Sequence, residues 1–495
     1  MELILPAIGE VMQPINLAVM TIGLIIGMAI GAIPGLNVPL AVAISLPITF
    51  HLAPLAGIAM LVGIYKGGTY GGSISAILIN VPGTPAAGAT ALDGYALTQQ
   101  GHASKALRVA LYSSFTGGLI SDLSLIMFAI PVAMLALKIG PAENFALGIL
   151  ALTLIGVLSE GNMVKGLIAG AFGILLSTVG LDPLNGETRL TFGLLDLSGG
   201  FQFISLIIGV FAIAEAFALA HATAGRLVAS VGQRVSAAGK GMSAADWRLC
   251  LPVMLRAAPV GVFIGAVPGL GSAISAFINY GIARNFSREP EKFGKGSLEG
   301  VAAAESGNNA VCGSTFIPLL TLGIPGDTIT AIMLGAFMVH GLIPGPALFT
   351  ANADFVAAFF VAMLVSSILM LAIGRLGLPL FVQAVRIPNK VLFPIVVALC
   401  MTGVYASSSS YFDLYVMLGF GLLGYGMKRF GFPVAPLLIG FILGPIVEVG
   451  LRQSLIISRG SLEIFVTRPI ALICLLLAAM VVTWVAIRQN RGIKS

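Results

Sequence analysis

Charge is scarce in this sequence: Lys, Arg, Asp and Glu make up 9% of 495 residues, where a soluble domain carries roughly 25%. Such a chain cannot clothe itself in polar side chains, which excludes an ordinary soluble fold. Cysteine is as sparse. Cys250, Cys312, Cys400 and Cys474 stand far apart, in or beside apolar runs and without a CxxC pair, so free buried thiols are expected rather than a disulfide framework. The four histidines, His51, His102, His221 and His340, are equally scattered and suggest no metal cluster. Walker A, GxSxG and HExxH patterns are absent, which argues against ATP-driven work and against an intramembrane enzyme. No Lys or Arg precedes Lys66, so the basic leader of a cleavable signal peptide is not expected.

What the chain has instead is apolar length. It is 58% hydrophobic, with runs such as 355–374 and 471–487, and a helix of ~20 apolar residues crosses a ~30 Å hydrocarbon core. The fold class is therefore an all-α polytopic membrane protein. The net charge of +6 reads as basic cytoplasmic loops rather than nucleic-acid binding. Basic clusters at Lys105/Arg108, 226–256, 284–295, 375–390, 428–429 and 488–494 are placed inside by the positive-inside rule. Spans are then expected near 107–136, 143–158, 163–180, 203–222, 355–374, 391–406, 414–427, 433–447 and 469–487. Loops 181–202 and 407–413 fall outside, the N-terminus outside and the C-terminus inside.

Glycine (62 residues) and proline (26) are frequent, and they fall in a pattern. GMAIGAIPGL at 27–36 and GVFIGAVPGL at 261–270 are identical at 7 of 10 positions. Each is followed by a second break, NVPGTP at 80–85 and GIPGDT at 323–328. In the first copy the basic loop follows the second break, whereas in the second copy it lies between the breaks. Two inverted-topology repeats are expected, and paired interruptions of this kind mark a transporter site near the midplane. The organisation expected is a first membrane repeat over 1–222, with scaffold helices 107–222, and a basic cytoplasmic linker over 223–251. A second repeat follows over 252–467, with scaffold helices 355–447, then a terminal span and basic tail over 468–495.

The Pro-Gly pairs turn a helix back on itself, because Pro lacks an N–H and Gly tolerates the reversal. Hairpins are expected over 18–33/37–50 and 256–267/272–283, each arm short for a full span. Backbone N–H groups at such tips favour an anion. Gly23, Gly27 and Gly31 recur every four residues and suit close helix packing. Within the polar stretch 69–85, Ser73, its fellow hydroxyls and Asn80 are candidate ligands, and Lys66 is a candidate counter-charge for a carboxylate. Glu305, Asn308, Asn309 and Asp327 are candidate ion-coupling groups, since intramembrane polar groups default to function; Na⁺ at Asn308, Asn309 and Asp327 is one arrangement. Kinked spans, helix capping by Asp327 and snorkelling by Lys66 are the plainer alternatives.

The stretches IGAIPGL (30–36), YGGSISAILINVPGTPAAGATALDGYAL (70–97), AAAESGNNAVCGSTFIPLLTLGIPGDT (302–328) and HGLIPGPALF (340–349) closely resemble the large membrane subunit of tripartite tricarboxylate transporters, the TctA family. The resemblance implies a bacterial inner-membrane permease for citrate or another carboxylate. It would work with a small membrane subunit and a periplasmic substrate-binding protein, driven by Na⁺ or H⁺ and needing no other cofactor. Carried over onto this chain, the substrate region falls at Pro34, Gly35, Leu36 and Asn37; at Gly71, Gly72 and Ser73, with Lys66 added from its own charge; and at Pro82, Gly83 and Thr84. In the second half it falls at Pro268, Gly269, Gly271 and Ser272, and at Pro325, Gly326 and Thr328. Glu305, Asn308, Asn309 and Asp327 form the ion-coupling set. Asn37 stands where the second copy has Gly271, so the hairpins are expected to differ in role. An elevator-like movement follows by analogy with other hairpin-bearing carriers. Membrane lipid is the expected surroundings, and a dimer of the complex and a passive channel for small organic anions remain alternatives.

Overall fold

A computed structural model describes residues 3–34, 36–158, 163–221, 241–384 and 389–490. Gly35, most of the 223–251 linker and the last residues of the basic tail lie outside the described residues. The helices begin with α1 (Ile4–Val11), α2 (Pro14–Ala32), α3 (Val38–Thr49), α4 (Pro54–Ile79), α5 (Ala87–Gln99) and α6 (Ala103–Ala136). Next come α7 (Pro141–Leu158), α8 (Met163–Ser177), α9 (Phe203–Ile207) and α10 (Ala214–His221), the last two joined by π-helical Ile208–Ile213. Then follow α11 (Ala244–Ala266), α12 (Gly271–Phe286), α13 (Leu298–Ser314), α14 (Phe316–Leu322), α15 (Thr328–Val339), α16 (Leu348–Ala351) and α17 (Ala353–Ala384). The series ends with α18 (Asn389–Ser408), α19 (Tyr411–Arg429), α20 (Ala435–Ile457), α21 (Ile464–Thr467) and α22 (Pro469–Asn490). Among the described residues the β-structure is one two-residue ladder, Gly180–Leu181 with Thr188–Arg189. Among the described residues five helices, α2, α6, α11, α17 and α20, are long and apolar enough to cross a membrane, so the chain is a multi-pass membrane protein. The four cysteines are free and buried.

Two compact units form. One comprises Met1–Pro131 and Glu215–Ser407, the other Val132–Ala214 and Ser408–Ser495. The first carries both Pro-Gly motifs. Helices start where the sequence permits: Pro14 and Pro54 occupy first-turn positions, where a missing N–H costs nothing. Ser243 and Asp246 form a capping box at the start of α11.

In the first unit α2 and α4 run parallel and touch through backbone. A Cβ on Gly23, Gly27 or Gly31 would strike Met60, Ile64 or Gly68, and one on Gly63, Gly67 or Gly71 would strike Met20, Leu24 or Met28. Both partners therefore use glycine, one turn apart, to bring the helices together. Helix α3 returns antiparallel, with Val38 against Gly68 and Thr49 against Gly57. The second motif repeats this order: α11 and α13 run parallel, Gly261 against Gly307 and Gly265 against Val311. Helix α12 returns between them, Ser275 donating to the Gly307 carbonyl at 2.7 Å. Both Pro-Gly motifs are thus hairpin turns and not kinks in a continuous span.

The arms differ from the lengths expected from sequence. The outgoing arms have 19 and 23 residues, enough to span, and only the return arms are short, at 12 and 16. Helix α11 continues upstream through Pro252 and Pro259 to its Ser243 cap, and α2 likewise begins at Pro14.

The second unit is built alike. Gly173 and Gly440 admit the backbones of α20 and α8, and Gly450 lets α7 approach α20. Beside the short ladder, Arg189 grips Glu448 through both guanidinium nitrogens, at 2.5 and 3.2 Å. Arg452 joins Asp182 at 2.6 Å and Glu448 at 3.1 Å. The Leu184 N–H and Arg452 hold the Asp182 carboxyl well below the usual carboxylate range, at about 2.

The glycine seam makes a prediction. Gly27→Ala places a Cβ 2.8 Å from Gly68 N and into the Ile64 carbonyl, and is expected to cost about 1–3 kcal/mol. Gly281→Ala, with open space around it, is expected to gain about 0.5–1 kcal/mol. Unfolding midpoints of the purified proteins in mixed detergent micelles, followed by circular dichroism, check both.

Candidate functional site

Each hairpin tip is held by the Pro-Gly break that follows it. Asn80 ends α4 and Gly323 ends α14 in the left-handed conformation, φ 57° and 70°, which turns the chain into NVPGTP or GIPGDT. Gly83 then lies on the Gly31 carbonyl and donates to Gly72 O at 3.1 Å. Gly326 lies against Thr315 and Gly265, and its carbonyl accepts from Gly269 N at 2.9 Å. Each second break thus packs on the last turn of the outgoing arm of its own hairpin.

The two hairpins meet across an antiparallel seam of α4 with α13. Ser73 reaches Glu305, Thr69 faces Cys312 at 3.6 Å, and Tyr65 lies tilted beside Phe316 while donating to Asp327 at 2.6 Å. The first tip sits at the level of Gly72 and the second at that of Thr315, opposite Tyr65. At 1.5 Å per residue the two levels are about 10 Å apart. Because α2 runs with α4 and α11 with α13, the tips arrive at this seam from opposite ends.

The tips differ in chemistry. Asn37 is extended, φ −132°, and its side chain caps α3 by accepting from Leu40 N at 2.9 Å. Gly271 takes φ +67° at the head of α12, beside Gly269 at +89°. A polar cap closes one tip, and two left-handed glycines shape the other. Pro34, Asn37 and Thr84 are partly buried, Pro82 is exposed, and Pro268, Gly269, Gly271 and Ser272 are partly buried. Leu36, Gly71, Gly72, Ser73, Gly83, Pro325 and Gly326 are buried, and their small residues let backbones meet. Asp327 and Thr328 are partly buried. The Asp327 carboxylate caps α15 through Thr330 N at 2.8 Å in addition to accepting from Tyr65.

Two charged clusters lie wholly inside the first unit. Glu305 is 0% exposed and accepts from Ser73 and Thr90 at Oε1 and from Ser114 at Oε2, the last at 2.8 Å. Asn309 buttresses it, donating to Ser114 Oγ at 2.9 Å and to the Glu305 carbonyl at 3.0 Å. Lys66, 2% exposed, donates to Asp122 at 2.6 Å, the Met363 carbonyl at 2.7 Å and Ser367 Oγ at 2.8 Å. All three of its N–H groups are taken, so in this conformation none is left for a substrate carboxylate. Asn308 is buried with neither amide atom bonded.

The structure thus gathers Ser73, Glu305 and Asn309, and sets Asp327 apart with Tyr65. It adds Thr90, Ser114, Asp122, Tyr65 and Ser367, which sequence reasoning did not single out. Asp122 carried a signal, a lone carboxylate within the apolar run 107–136; the hydroxyls carried none. Among the described residues no three His, Cys, Asp or Glu side chains converge as a metal cluster. A cation in this region would have hydroxyl, amide and single carboxylate oxygens as ligands.

The family model described as "Tripartite tricarboxylate transporter TctA family" matches residues 17–439. The chain is similar to an uncharacterized 52.8 kDa protein in the TAR-I ttuC′ 3′ region of Agrobacterium vitis, 38% identical over 97% of this chain and 95% of that one. A second Agrobacterium vitis protein, uncharacterized and in the TAR-II ttuC′ 3′ region, is 39% identical over 44% of this chain and 94% of its own length. No solved structure matches the chain.

The Lys66–Asp122 pair gives the second prediction. Lys66→Met leaves a buried carboxylate uncompensated and is expected to cost about 3–5 kcal/mol, whereas Lys66→Met with Asp122→Leu recovers most of the loss. A double-mutant cycle on detergent unfolding reads the coupling directly.

Proposed function

The chain belongs to the tripartite tricarboxylate transporter TctA family, and on that premise we propose that it carries a tricarboxylate or related carboxylate across the bacterial inner membrane, driven by a Na⁺ or H⁺ gradient. In this reading it receives substrate from a periplasmic binding protein and works beside a small membrane subunit. Its N-terminus faces the periplasm and its C-terminus the cytoplasm. The observation that carries the reading is the pair of Pro-Gly hairpin tips brought to one seam from opposite ends.

The two halves then act as inverted repeats. Support comes from the matching order of contacts, α2–α3–α4 and α11–α12–α13, and from the antiparallel run of α4 and α13. Substrate carboxylates sit between the tips, held by N–H groups at the start of α12 and by the hydroxyls of Thr84, Ser272 and Thr328. Pro34, Asn37, Pro82 and Pro268 border the same space. Gly71, Gly72, Gly83 and Gly326 serve it by letting the backbone come close. Cation binding at polar groups of the seam lowers the cost of placing a multiply charged anion in a medium of low dielectric, and the hairpins carry the site in an elevator-like movement.

Uptake into proteoliposomes holding this chain with both partner proteins tests the reading. A panel of labelled di- and tricarboxylates is offered under imposed Na⁺ or H⁺ gradients. Accumulation against the substrate gradient is expected, and equilibration without accumulation would instead identify a channel. Thr84→Ala and Ser272→Ala are each expected to lower uptake about tenfold or more, since a hydrogen bond to a charged group contributes about 1.5–3 kcal/mol. Full uptake in both variants would remove the tips from the site.

A further inference from the structure

Glu305 is a buried carboxylate held without a cationic partner among the described residues, and the nearby cation Lys66 is spent on Asp122. Three hydroxyls take the place of a cation. Ser73 and Thr90 converge on Oε1 and Ser114 on Oε2. Ser114 has no freedom in this, because Asn309 donates into its oxygen and turns its own hydrogen toward the carboxylate.

One helical turn onward lies Asn308, 0% exposed, with both Oδ1 and Nδ2 unbonded. Residues three apart share a face of a helix, so Asn308 flanks Glu305 on the side of α13 turned to α4. A buried amide unpaired at both ends is costly. The polar groups gathered on this face are one carboxylate, three hydroxyl oxygens with lone pairs to spare, and one amide oxygen. That set is all oxygen, with a single negative charge, and suits a small hard cation.

We propose that Glu305, Asn308 and the hydroxyls of Ser73, Thr90 and Ser114 form a binding site for one dehydrated Na⁺. This rests on the transport reading above and names its coupling ion and ligands. A proton would need only Glu305 and would leave Asn308 unpaired, whereas Na⁺ uses the amide oxygen. Asp327 is outside the site, its carboxylate held by Tyr65 and Thr330. The placement also provides coupling. Ser73 directly follows Gly72, on which Gly83 and Thr84 rest, so a cation that draws in Ser73 fixes the floor of the first hairpin tip.

The test is equilibrium binding of ²²Na⁺ to the purified full-length protein in detergent, with no carboxylate present. Saturable binding displaced by unlabelled Na⁺ and not by K⁺ is expected. Asn308→Ala and Glu305→Gln are each expected to weaken it about tenfold or more, with monodispersity on gel filtration confirming that each variant is folded. Asn308→Ala, an apolar replacement at an unbonded position, serves should Glu305→Gln fail to fold. Wild-type protein that binds no ²²Na⁺, or a folded Asn308→Ala that binds it unchanged, overturns the site. Carboxylate uptake in proteoliposomes, measured alongside, separates the two readings. Loss of ²²Na⁺ binding in the variants without any wild-type uptake keeps the site and removes the transport function; uptake driven by H⁺ alone keeps transport and overturns Na⁺ at this site as its coupling ion.

Discussion

Backbone lying directly on backbone is the contact on which the first unit depends. Between membrane helices the hydrophobic effect offers little, because lipid tails are as apolar as leucine, so association comes from close packing. The α2–α4 and α11–α13 pairs achieve it by glycine on the contacting faces, placed so that any Cβ would meet a carbonyl or an amide. Everything nearer the site is referred to these two pairs. The short return arms α3 and α12 lie against them, and the Pro-Gly breaks after α4 and α14 rest on glycines at the ends of the outgoing arms. A rigid seam with two breaks in it is the result.

Within that frame the two hairpins are unequal. The first tip is closed by a side chain, Asn37 on Leu40 N; the second is shaped by backbone alone, through Gly269 and Gly271. The charges are just as lopsided. Glu305 belongs to the second motif and finds its hydroxyls on α4, α5 and α6, while Lys66 belongs to the first and finds partners on α6 and α17. Glu305 is thus satisfied wholly by the first half and Lys66 by both halves, and neither buried charge is satisfied by its own hairpin.

How much of this could be read from the letters depended on distance along the chain. The tips were legible because Pro-Gly recurs inside matching apolar runs, though kinked spans were the alternative, and the helices because their apolar runs are long. The outgoing arms were drawn too short: they were expected to begin at residues 18 and 256, whereas α2 starts at Pro14 and α11 runs from Ala244 through Pro252 and Pro259. Thr90 and Ser114 were illegible: a lone hydroxyl in an apolar helix ordinarily bonds back to its own turn, and nothing local says that these two reach Glu305. Lys66 was noticed, but its partner stands 56 residues on, and the pairing makes it a brace inside the fold where a substrate contact had been expected.

Those separations also order events while the chain is being made. Lys66 and Asp122 emerge 56 residues apart, so the two charges can neutralise each other soon after α4 and α6 enter the bilayer. Glu305 follows its hydroxyl partners by 191 to 232 residues, on the order of 10–50 seconds of synthesis at common elongation rates. Ser73, Thr90 and Ser114 are neutral and can wait in lipid at little cost, each returning its hydrogen to its own helix. Glu305, which would be the expensive group to leave alone there, is translated after all three hydroxyls that bond it. The biogenesis of the membrane domain thus holds back its most exacting charge until the groups that accept it are in place.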